Sequence, residues 1–116
     1  MDAEELLRRL ALNDENVVRC AVGADSPSLS GGSDLDAKTH ALVRLAALLS
    51  IGAATSSCRV AVELARAGGA TEAELVGVLV AVAPAVGGAR VVSAAPRLAL
   101  AIDYDVEDVA EVFDGP

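Results

Sequence analysis

Apolar side chains recur at helical spacing through most of the chain. No stretch alternates apolar and polar residues for long enough to predict a strand. Residues 2–12 read as a short helix with Leu6, Leu7 and Leu10 on its apolar side. Glu4, Glu5, Arg8 and Arg9 form the wet side, and Glu4–Arg8 and Glu5–Arg9 are i, i+4 pairs in the favourable order. A weaker helical pattern covers residues 15–22. Residues 23–34 then carry turn formers at nearly every position and read as a linker between an N-terminal helical arm, 1–22, and a main body, 35–116.

The main body reads as a series of helices. The first runs from Leu35 to about Ile51, with Asp34 or Asp36 as N-cap and Leu42, Leu45 and Leu49 as its apolar stripe, Ala46 alongside. Gly52 breaks it. Thr55, Ser56 and Ser57 supply N-cap candidates for the next helix, from Ser57 to about Ala67, which Gly68-Gly69 ends. Thr71 and Glu74 match the capping box, in which the threonine hydroxyl accepts from a free amide and the glutamate reaches back to the cap. Leu75, Val78, Leu79 and Val82 follow at helical spacing, with Val76 and Val80 on a second apolar side. Pro84 is expected to stop or kink this helix, and Gly87-Gly88 to turn the chain. A helix over about 89–102, bent by Pro96, and a last short one over 106–113, anchored by Tyr104 and Phe113, complete an all-α chain.

Composition narrows the function. The chain has 116 residues, enough for one domain, and is 53% hydrophobic with only 2% aromatics, so its core is built from Ala, Val and Leu. A unit this small leaves apolar surface in water as a monomer, which predicts a homo-oligomer. The net charge of −8 argues against a nucleic acid or an anionic membrane as partner. No uncharged run reaches the about 20 apolar residues of a membrane span. The N-terminus is acidic where a signal peptide is basic, which predicts a cytoplasmic protein. Two cysteines, Cys20 and Cys58, and a single histidine, His40, make neither a disulfide framework nor a metal site, and no residue pattern calls for a cofactor.

The candidates for chemistry are Cys58, His40, Arg44 and Arg90. Cys58 falls near a predicted helix N-terminus, where the dipole favours a thiolate, and Arg59 adds positive charge. The alternative is a small buried hydrophobe. His40 is spaced by four from Asp36 and Arg44, which makes either a small polar site or a solvated helix face. Arg90 and Arg97, seven apart, share a helix face and could neutralise an acidic ligand or pair with Glu63 or Glu74 of another subunit. Cys20, beside Val17 and Val18, is expected to pack.

Three segments together resemble the carboxymuconolactone decarboxylase-like family, which includes the alkylhydroperoxidase-D-like proteins. LDAKTHALVRLA at 35–46 is similar to its opening motif, ARAGGATEAEL at 65–75 to its turn between core helices, and VAPAVGGAR at 82–90 to a later motif. The resemblance spans about 35–103 and implies the alkylhydroperoxidase-D-like helical fold, assembled as trimers or hexamers. It also implies a site: a Cys-x-x-Cys pair, a histidine in the same helix and a glutamate in the opening motif. The second cysteine maps onto Cys58, the first onto Thr55, the histidine onto Val62 or Ala61, and the glutamate onto Ala41. The histidine-centred site of the lactone decarboxylases falls at Ala61 or Val62 as well. A dithiol cycle needs a resolving thiol and a proton relay needs titratable side chains, and these positions supply neither. The expected function is an oligomeric binding or structural protein without dithiol peroxidase activity, its partners being its own copies and a small-molecule ligand. The alternatives are a one-cysteine peroxidase at Cys58, resolved by an external thiol, and decarboxylase or lactone chemistry on a small acidic substrate around His40, Arg44 or Arg90.

Overall fold

The computed structural model describes residues 2–23 and 35–103, and within them the chain forms helices and no strands. It divides into two compact units, residues 1–36 and 37–116. The predicted linker after Gly23 and the short helix predicted over 106–113, with Tyr104 and Phe113, lie outside the described residues.

The first unit holds α1 (Ala3–Ala11) and α2 (Glu15–Gly23). Asp2 caps α1 by accepting the Glu5 amide at 2.8 Å, and Asp14 accepts the Asn16 amide at 3.1 Å ahead of α2. Arg9 donates to Glu5 at 2.7 Å, while Arg8 and Glu4 lie 3.6 Å apart and well exposed, a contact of little weight. Val17 is the one buried side chain of these two helices. Cys20 is exposed rather than packed, because two short helices enclose very little.

The second unit holds α3 (Ala37–Ile51), α4 (Thr55–Ala67), α5 (Glu72–Val86) and α6 (Gly88–Ala101). Helix α3 packs on α4, α5 and α6, and α6 also packs on α4 and α5. The largest fully buried side chains are Leu45, Leu49, Leu75, Val62 and Cys58, each leucine or valine contributing about 1.5–3 kcal/mol by burial. The buried seam of α3 is Ala41, Leu45 and Leu49, at i, i+4, i+8, with Leu42 only half-buried beside it. The expected Leu42–Leu45–Leu49 stripe is therefore buried at Leu45 and Leu49, with Ala41 rather than Leu42 as the third buried position.

Three boundaries differ from expectation. The N-cap of α4 is Ala54, with an extended ψ of 153° and no side-chain cap, so Thr55, Ser56 and Ser57 lie within the first turn instead of capping it. Helix α5 continues through Pro84 to Val86. Proline removes one bond, to the carbonyl of Val80, which lies on an exposed face where the loss is tolerated. The turn between α5 and α6 is a single residue. Gly87 closes α5 and opens α6 at φ 87°, ψ 161°, a backbone region open essentially to glycine alone.

Two of the stretches that carry the family resemblance meet at the other end of α4. Thr71 Oγ1 accepts the Glu74 amide at 3.1 Å and Glu74 Oε1 accepts the Thr71 amide at 2.9 Å, completing the expected capping box. Lys38 Nζ donates to the same carboxylate at 3.0 Å. A methyl group on Gly68 would lie 2.9 Å from both the Cα and the amide nitrogen of Lys38, so glycine is what lets the end of α4 rest on the start of α3. Among the described residues no helix is long and apolar enough to cross a membrane.

Candidate functional site

Cys58 sits in the second turn of α4, its amide bonded to the Ala54 carbonyl at 3.2 Å. Its side chain is fully buried in one apolar cluster with Ala41, Ala61 and Val62. These are the positions onto which the resemblance maps the glutamate and the histidine. The region that would hold a proton relay is therefore packed hydrocarbon, in which a thiolate is poorly solvated. Burial pushes the Cys58 thiol above its ordinary pKa, opposed more weakly by the charge of Arg97.

Arg59 is not the source of that charge. Successive helical residues point about 100° apart, and Arg59 reaches away to donate to the Leu100 carbonyl at 2.9 Å, with Asp103 at 3.9 Å. Arg66, two turns further along α4, donates to the Ile102 carbonyl at 3.2 Å. The two arginines thus cap the C-terminal end of α6, where carbonyls lack helical partners and the dipole is negative.

Arg90 and Arg97 of α6 do the same for α3. Arg90 donates to the Ser50 carbonyl at 2.9 Å, and Arg97 to Gly52 at 2.7 Å and Ala53 at 3.5 Å. The side chain of Glu74 is engaged by Lys38 rather than by an arginine. Spacing seven signalled a shared face for Arg90 and Arg97, and Arg59 and Arg66 have the same spacing. The partners, helix-end carbonyls, could not be read from the sequence, because they exist only once the helices pack.

Beside Arg90 and Arg97 lies an open cleft of about 540 Å³. Arg90, Ser93 and Arg97 give it polar walls, and Leu49, Val86 and Ala94 an apolar floor. His40 and Arg44, both half-buried, stand one turn apart in the first half of α3. The cleft adjoins the far end of that helix, about 15 Å of helical rise from His40. Of the residues singled out from the sequence, the fold brings Arg90 together with Arg97, and places Arg97 near enough to Cys58 to act on its charge. It does not bring His40 or Arg44 to Arg90. Ser93 was not singled out: a lone serine inside a helix carries no sequence signal.

Among models of protein families, that of the carboxymuconolactone decarboxylase family matches residues 22–100. The match begins ahead of the opening motif and runs almost to the end of α6. None of the curated proteins and none of the solved structures compared with the chain matches it.

Proposed function

This chain belongs to the carboxymuconolactone decarboxylase family, and on that premise we propose that it is an oligomeric, non-redox member that serves as a ligand-binding or structural module. One observation carries the reading. The family-like residues that remain are those that hold helices together: Lys38, Gly68, Thr71 and Glu74 form a clasp between α3, α4 and α5. The positions that would do chemistry are Ala41, Ala61 and Val62, sealed in the core around a fully buried Cys58. Burial also opposes the one-cysteine route, since attack on a peroxide requires an accessible thiolate.

Self-association is supported by the exposed valines and isoleucine of the second unit. Val43, Ile51, Val60, Val80 and Val92 are each more than half exposed and lie on all four helices. Covering such surface between copies of the chain removes it from water. The test pairs two measurements on the purified protein. Sedimentation gives the mass, expected at three or six times the 11.7 kDa of one chain. A coupled assay with an alkyl hydroperoxide and a dithiol reductant is expected to show no saturable turnover. A stable monomer refutes the oligomer, and saturable turnover refutes the non-redox assignment.

A further inference from the structure

We propose that the cleft between the end of α3 and the first turns of α6 binds the carboxylate or phosphate group of a small anion. The inference deepens the ligand-binding reading above and rests on it. Two guanidinium groups, Arg90 and Arg97, and the Ser93 hydroxyl line the cleft, and no acidic residue among the described residues does so. Among the described residues, the bonds from both arginines to α3 run from their Nη1 atoms. A guanidinium carries five N–H donors, so donors remain on each for an oxyanion. The bonds to α3 also fix the two groups in place, which lowers the entropic cost of using them.

Local charge decides the sign. The chain carries a net charge of −8, yet charges beyond about 8 Å are largely screened at physiological ionic strength, so the two nearby cations dominate. Helix α6 begins with Gly87 as N-cap and no side-chain cap, which leaves the positive end of its dipole on the same side as Arg90. Leu49, Val86 and Ala94 offer an apolar floor beneath the charged rim, and a volume of about 540 Å³ is of small-molecule size.

The experiment titrates the full chain with inorganic phosphate and, separately, with benzoate, following arginine side-chain and backbone amide resonances by NMR at low salt. Saturable shifts at Arg90 and Arg97, with one anion bound per chain, are expected, and the two probes should compete. Tighter phosphate binding identifies a phosphate ligand. Tighter benzoate binding identifies a carboxylate with an apolar body resting on the floor. Arg90→Gln should weaken either probe about tenfold, the loss expected for one hydrogen bond to a charged group. Ser93→Asp, which keeps both arginines, should weaken it comparably by placing in the cleft a carboxylate that competes with the anion for their guanidinium groups. The proposal fails if neither probe saturates, or if binding is unchanged in both variants. Failure to bind by a protein that is oligomeric and inert to hydroperoxide overturns this inference alone. Hydroperoxide turnover overturns the functional reading whether or not anions bind.

Discussion

Gly68→Ala tests whether the family-like residues of this chain are a structural clasp. Gly68 ends α4 at φ −81°, a conformation that alanine adopts without strain. On backbone grounds alone the substitution would stabilise the protein by about 0.4–1 kcal/mol, through the lower entropy of the unfolded chain. Packing reverses the sign. The new methyl would lie 2.9 Å from the Cα and amide nitrogen of Lys38 and 3.2 Å from its Cβ. Two of these are backbone atoms that no rotamer change can move, so α3 and α4 must separate. Overpacking of this kind costs about 1–3 kcal/mol. The net expectation is a destabilisation of about 1–2 kcal/mol, a fall in Tm of about 5–15 °C for a unit of this size. The assay is thermal unfolding by circular dichroism at one fixed protein concentration, since oligomerisation makes Tm concentration-dependent. Gly77→Ala is the control. A methyl at Gly77, inside α5, meets nothing within 4 Å of the same chain, and the change should raise stability by about 0.5–1 kcal/mol. A Gly68→Ala protein as stable as the wild type would refute the clasp.

Two further outcomes follow from the titratable groups. The Glu74 carboxyl is held below its usual pKa, first by the Thr71 amide and then by Lys38. A lowered folded pKa contributes stability that is complete above the unfolded carboxylate's pKa and is lost as pH falls through the lower folded value. Stability should therefore drop through the acidic range, and Glu74→Gln should flatten part of that drop in unfolding curves taken across pH. Cys20 is exposed whereas Cys58 is buried with its thiol pushed up, so iodoacetamide should label Cys20 far faster than Cys58 in peptide mass analysis, and equal rates would contradict the buried site.

The helices were legible in the sequence because their apolar spacing is local. The Thr71–Glu74 box was legible for the same reason, since both partners lie within one turn. The start of α4 was misplaced because hydroxyl side chains attract a cap assignment, whereas the backbone turns at Ala54, which has no side chain to reveal it. Arg59 was credited with acting on Cys58 because it is adjacent in sequence, but neighbours on a helix diverge, and the charge that reaches the thiol comes from Arg97 on another helix. That Thr55, Ala41 and Val62 stand where the resemblance places the first thiol and the relay residues was readable directly. That Ala41 and Val62 close into a single apolar cluster with Cys58 was not, because it depends on how α3 docks on α4.

On the proposed reading Cys58 is a core residue and not an activated thiol. The measurement that tests it most directly is intact-mass titration of a Cys20→Ser protein with hydrogen peroxide and an alkyl hydroperoxide, which leaves Cys58 as the only cysteine. With Cys58 buried, the folded protein should gain oxygen more slowly than a free thiol, and unfolding should remove the protection. Rapid, selective formation of a sulfenic acid at Cys58 in the folded protein would contradict it.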